Sequence, residues 1–166
     1  LADFNGSFMT GDRVSLGATV TPLQPQEFQL VQACYSIPLG TSGTEATLRV
    51  WLSQSEAGAA LRSRDLDGDS VELEAGLSHP LVRSRAESLW AHAFLSVRDS
   101  ELTRANLLVR DDRISSVSAT LYGIARMAGG FGRGRISLVQ GVDLFDATER
   151  GDPLASRNDA GGAFTK

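Results

Sequence analysis

The sequence predicts an all-β fold, an antiparallel up-and-down meander of about seven to eight strands, on three observations. Apolar residues recur at every second position in segment after segment, turn residues separate these segments, and no segment carries a long apolar stripe of helical period. From Arg13 to Thr21, Val14, Leu16, Ala18 and Val20 take one face, and Arg13, Ser15, Gly17, Thr19 and Thr21 the other. After the turn-like Pro22-Leu23-Gln24-Pro25, Val31, Ala33, Tyr35, Ile37 and Leu39 oppose Leu30, Gln32, Cys34, Ser36 and Pro38. A third strand follows Gly40 to Gly43, with Ala46, Leu48, Val50 and Leu52 against Thr47, Arg49, Trp51 and Ser53. The contrast is sharpest in the fourth, where Val71, Leu73, Ala75 and Leu77 oppose Ser70, Glu72, Glu74, Gly76 and Ser78. In the fifth, Leu89, Ala91, Ala93, Leu95 and Val97 oppose Trp90, His92, Phe94 and Ser96. The sixth sets Val117, Ala119 and Leu121 against Ser116, Ser118, Thr120 and Tyr122, and the seventh sets Ile136, Leu138 and Val142 against Arg135, Ser137, Gly141 and Asp143. Ala163-Phe164-Thr165 begins an eighth, and Glu56 to Arg64 is compatible with a short helical turn.

Composition narrows the function. A chain of 166 residues suffices for one domain or a piece of a larger one. Twenty acidic residues against 16 basic ones give a net charge of −4, which disfavours a broad electrostatic grip on nucleic acid. A single cysteine, Cys34, forms no internal disulfide, and with two histidines it does not build a typical Cys/His zinc site. No run approaches the roughly 18 apolar residues of a membrane-spanning helix, which excludes helical spans and leaves strands open. The chain opens on Leu1-Ala2-Asp3 without a methionine or a signal segment, and stops where an extended segment begins, so it reads as an internal fragment.

Connector lengths alternate. Gly40 to Gly43, Pro80 to Ala86 and Met127 to Gly134 are compact, whereas Gln54 to Asp69, Arg98 to Asp111 and Leu144 to Gly162 are longer, polar and charged. Short turns at one end of a meander and long polar loops at the other match an outer-membrane β-barrel. About nine alternating residues at roughly 3.3 Å each, tilted about 45°, rise roughly 21 Å, close to the roughly 25 Å apolar band of such barrels. Arg13, Gln32, Arg49, Glu72, Glu74, His92 and Arg135 fall on the face opposite the aliphatic one, which must therefore line water or a polar plug. The aliphatic face must meet lipid or a core. A soluble sandwich or barrel that binds a ligand, and a small closed eight-stranded membrane barrel, share this alternation and stay open on periodicity alone.

Motifs for bond-making chemistry are weak. Asp65-x-Asp67-Gly68-Asp69 resembles a calcium loop but lacks the glycine placement and distant glutamate of an EF-hand, so it reads as a solvated loop. Gly129-Gly130-Phe131-Gly132-Arg133-Gly134-Arg135 joins two strands rather than opening a helix, and reads as a flexible turn. Neither histidine belongs to a nucleophile-elbow pattern, and Cys34 has no activating neighbour motif. No catalytic, cofactor-binding or metal-binding residue is assigned, and no enzymatic activity is expected. Trp51 and Trp90 fall on the polar side, whereas Tyr35 and Phe145 suit an interfacial aromatic girdle.

Several segments carry a family resemblance. They are Gly11-Asp12-Arg13-Val14-Ser15-Leu16 after the Asn5-to-Met9 turn, Tyr35-Ser36-Ile37-Pro38-Leu39-Gly40, Asp67-Gly68-Asp69-Ser70 and Gly76 through Arg85. Leu138-Val139-Gln140-Gly141-Val142-Asp143, Gly151 through Arg157 and Phe164-Thr165-Lys166 continue the series. In order and spacing they resemble the outer-membrane transporters of two-partner secretion, the hemolysin activation and secretion protein family, over nearly the whole chain. The resemblance implies a partial transmembrane barrel over residues 1–166, about the first half of sixteen strands, with the signal peptide, plug helix and two POTRA domains outside it. It implies a bacterial outer-membrane location, a water-filled path for a secreted exoprotein of hemolysin or adhesin type, and no cofactor. The partners it implies are that exoprotein, outer-membrane lipid and the remaining strands. Arg13, Arg49, Glu72, Glu74, His92 and Arg135 would face the passage or plug. The family's Arg-Gly-aromatic lumen motif has no match in this sequence, so no residue is assigned to it.

Overall fold

The computed structural model describes residues 1–58, 65–156 and 164–165. They form a single eight-stranded sheet in which every strand is antiparallel to the next in the chain. Its strands are β1 (Ala2–Asn5), β2 (Arg13–Val20), β3 (Gln29–Leu39), β4 (Thr44–Glu56), β5 (Leu66–Arg83), β6 (Glu87–Arg104), β7 (Leu107–Met127) and β8 (Gly130–Val142). A 3-10 turn at Pro25–Glu27 interrupts the connector from β2 to β3. No described helix is long and apolar enough to cross a membrane.

Register carries the period-two pattern across the sheet. Leu16 lies opposite Ala33, Ala33 opposite Val50, Val50 opposite Leu73 and Leu73 opposite Val97, so aliphatic side chains stack in rows on one face. One residue along, Ser15, Cys34, Arg49, Glu74, Ser96 and Ser116 form a row on the other face. The aliphatic rows are not enclosed. Val71, Leu73 and Leu77 are 44 to 49% exposed, while Glu72, Glu74 and Ser78 between them are half-buried. Ala147, in the connector after β8, is the one buried apolar side chain among the described residues. This burial is the reverse of a water-soluble sheet, and it is what a sheet curled around its polar side produces. A soluble sandwich with its aliphatic face packed inward does not describe the molecule. Nor do β1 and β8 pair to close a small barrel.

The connectors sort to two ends. Residues 6–12, 40–43, 84–86 and 128–129 turn at one end, and all but the 84–86 turn carry left-handed glycines. Gly11 and Gly43, at φ +87° and +84°, sit where a Cβ would stand 3.2 Å and 3.0 Å from the rings of Pro38 and Pro80 on the following strands. Both the backbone angle and the close approach require glycine. At the opposite end lie the connectors after β2, β4, β6 and β8.

Several expectations about strand ends are corrected. The eighth strand is Ala2–Asn5, at the N-terminal side. At the other side Thr165 makes one bridge to Gln140, and Ala163 lies outside the described residues. Arg98 to Asp111 is not a long loop: β6 and β7 continue through it and reverse at Ala105-Asn106, both in left-handed conformation. Pro80 does not end its strand. β5 runs on to Arg83 through a bulge between Pro80 and Val82, the usual accommodation for a residue without an N–H. The supposed glycine-rich turn is confined to residues 128–129, and Gly130 to Arg135 pair with β7 as part of β8. Asp67 to Asp69 likewise lie in β5 opposite Gln54 to Glu56, not in a loop. Most of the segment proposed as a helical turn, 59–64, lies outside the described residues.

Candidate functional site

The polar face is the candidate site, built by cross-strand rows. Arg49 on β4 faces Glu74 on β5, and the two form an ion pair whose side chains are partly shielded. The Arg49 guanidinium also lies 5.1 Å from the centre of the Phe94 ring. Phe94 reaches it because its opposite residue is Gly76: a Cβ there would stand 2.0 Å from the ring, so glycine lets the aromatic lie flat on the strand. His92, two residues earlier on the same face, stacks on Phe94 at 6.4 Å and 12°. The next row sets Glu72 opposite Trp51 and Arg98, and Ser96 Oγ donates to Glu72 Oε1 at 3.1 Å. Arg98 Nε donates to Ser70 Oγ at 3.3 Å. Water-compatible groups thus satisfy one another along the face while keeping exposed atoms, as the wall of a wet passage requires.

All of the passage-facing candidates share this face. Arg13 lies opposite Ser36, Gln32 opposite Trp51, His92 opposite Thr120 and Arg135 opposite Tyr122. The register keeps Trp51 and Trp90 on the polar side, where the sequence set them. Tyr35 points from the aliphatic side, opposite Val14 and Leu48, with its hydroxyl donating to Asp12 Oδ2 at 3.2 Å. Phe145 lines a groove with Val71, Leu73 and Val97 at the other end of the aliphatic rows. The two rings thus lie at opposite ends of the aliphatic rows. Cys34 is half-buried in the Arg49 row and unbonded to any other cysteine.

Two features were not legible in the sequence. Asp12, 1% exposed, accepts the backbone N–H groups of Ser7, Phe8 and Met9 at 2.7, 2.9 and 3.0 Å. Burial pushes its carboxyl upward, but these donors and Tyr35 outweigh it and hold the group below its ordinary value. At the opposite end, the connector after β8 folds back along β7. Ser115 Oγ donates to the Leu144 carbonyl at 2.7 Å, and the Arg113 N–H donates to Thr148 Oγ1 at 2.7 Å. Arg113 also pairs with Asp99, and Asp112 accepts the Ser156 N–H at 2.9 Å. His79 Nδ1 is bonded to Thr44 Oγ1 at 2.8 Å, on the aliphatic side and away from the polar rows.

The model of the haemolysin secretion/activation protein family ShlB/FhaC/HecB matches residues 3–165. The chain belongs to this family. It is thus a segment of an outer-membrane transporter of two-partner secretion, and its location is the bacterial outer membrane. CdiB from Acinetobacter baumannii has a similar fold, with a TM-score of 0.65 and 15% identity over 84% of this chain. The chain spans 27% of CdiB. Among curated proteins, none matches. Membership accounts for the reversed burial, because in a barrel wall the aliphatic rows meet hydrocarbon and the polar rows meet water.

Proposed function

We propose that this segment is about half the wall of a sixteen-stranded barrel that conducts an unfolded exoprotein, of hemolysin or adhesin type, across the outer membrane. The observation that carries this reading is the paired polar face, rich in satisfied charges and half-buried, behind an uncovered aliphatic face. Transport through such a bore needs neither a cofactor nor a bond-breaking step. The plug helix and POTRA domains would lie outside residues 1–166 and make the first contact with the client. Lipid would cover the aliphatic rows, and further strands would continue from the free edges of β1 and β8.

The reading is tested by deleting the complete parent chain from its cell and following its exoprotein. The exoprotein should accumulate in the periplasm and return to the medium on re-expression. Undiminished release after deletion overturns the proposal.

A further inference from the structure

The short-turn end of the polar face is basic and unpaired. Arg83 lies opposite Ser88, Ser88 opposite Ile124 and Ile124 opposite Arg133, while Arg126 lies opposite Phe131 and Arg135 opposite Tyr122. Residues opposed across antiparallel strands share a face, so these four arginines belong to the row system that carries His92 and Glu74. All four are exposed and none is in an ion pair among the described residues. The one polar contact in the group is Arg135 Nε donating to Ser137 Oγ at 3.1 Å. Over residues 76–97 and 115–142 the sole carboxylate is Glu87, and its register opposite Ala125 puts it on the aliphatic side. Glu45, opposite Ser78 on the polar face, sits on β4.

At the other end of the same strands the polar face carries Asp112 together with Arg98, Arg104 and Arg110, while Asp67, Asp69, Asp99, Glu101 and Asp111 fall in register on the aliphatic-side rows. Four planar guanidinium forks interleaved with Trp90, Tyr122 and Phe131 match carboxylates spaced along an extended chain, and the aromatic rings match its apolar residues. A globular partner is not what a recessed strand face at a bore mouth accommodates.

We infer that Arg83, Arg126, Arg133 and Arg135 form a docking surface for an acidic, unfolded stretch of the client at the entrance of the bore. This deepens the secretion reading and rests on it. Attraction at the entrance would favour capture of that stretch.

The test uses the complete parent chain in detergent and a labelled poly-glutamate peptide, read by fluorescence anisotropy at low salt. Binding should weaken with added salt, and the triple variant Arg126→Ser, Arg133→Ser, Arg135→Ser should bind about tenfold more weakly, the combined effect of a few exposed charge pairs. The lysine triple at the same positions should retain most of the affinity, which separates charge from misfolding. Substituting glutamate at Arg133 and Arg135 should shift preference to poly-lysine. Equal binding by parent and serine triple, absence of binding to the parent because another segment fills the mouth, or poly-lysine preference in the parent would each overturn the inference. Because anisotropy needs no open pore, a failure of secretion leaves this measurement readable and locates the error in the transport reading instead.

Discussion

The two ends of the sheet are held together by different physics. At the short-turn end the reversals are local: Asp12 gathers three amides from residues close before it, and Ser84 Oγ accepts the N–H groups of Ala86 and Glu87 at 3.2 and 3.0 Å. At the other end β5, β6 and β7 run on past the aliphatic rows as residues 66–70, 98–104 and 107–114. At about 3.3 Å per residue that is an overshoot of roughly 17 to 26 Å along the strands. The connector after β8 straps this projection from a distance in sequence, through Ser115, Arg113 and Asp112. Local turns close as soon as their own residues are in place, whereas the strap forms only after β7 and β8 have paired. The short-turn end should thus be the autonomous one, and the projecting end the dependent one.

Five substitutions sharpen or break this contrast. The largest effect is expected between the ends, where Leu73→Arg puts a charge on the aliphatic row and should cost about 2–4 kcal/mol of barrel stability in lipid. Its neighbour Glu74→Gln should cost far less, and similar losses at both would mean that the faces are misassigned. Denaturant titration in liposomes reads both. Ser115→Ala should follow, at about 0.5–1.5 kcal/mol, because the fully buried Ser115 hydroxyl gives up its hydrogen bond to the Leu144 carbonyl. Hydrogen exchange should rise at Thr148 and Ser156 but not at Ser7 to Met9, and a rise at both ends would erase the distinction. Ala105→Gly is expected to stabilise the projecting hairpin by less than about 1–2 kcal/mol, since alanine holds φ +50° there. A gain in the midpoint of thermal unfolding checks it.

The smallest and most local effect belongs to Asp12→Asn, which should raise exchange at Ser7, Phe8 and Met9 and leave β5 to β7 untouched. Its pH dependence has a definite sign. The folded carboxyl titrates below its ordinary value of 3.8, so its stabilisation is present above that value and disappears as pH falls through the lower folded one. Protection of the three amides, taken relative to their intrinsic exchange rates, should be flat near neutrality, fall in acid, and lose that acid step in the asparagine variant.

How much of this was written in the sequence depends on where a residue sits relative to the apolar band. Within it, water on one side and hydrocarbon on the other force strict alternation, and Val71 to Leu77 or Leu89 to Val97 could be placed on their faces by inspection. Above it both faces are wet, alternation has no cause, and Arg98 to Asp111 looked like loop although it is strand. Gly130 to Arg135 was obscured for a different reason, since glycines read as turn unless the partner strand is known. The rows of the site needed register as well. That Arg49, Glu72, Glu74 and His92 share a face follows from parity, but that Arg49 reaches Glu74 and that Phe94 rests on Gly76 are facts about neighbouring strands. β1, at four residues, was too short to show any period.

The outer edge of β8 has consequences beyond architecture. From Gly130 to Val139 it pairs with no described residue, and Ile136 beside it is 76% exposed. Among the described residues, another segment touches it only near Gln140 and Gly141, through the Thr165 bridge and the Phe164 carbonyl at 2.6 Å from the Gly141 N–H. A row of hungry amides beside greasy side chains is adhesive to any extended chain nearby. In a longer chain that edge is the seat on which the next strand would lay its own backbone.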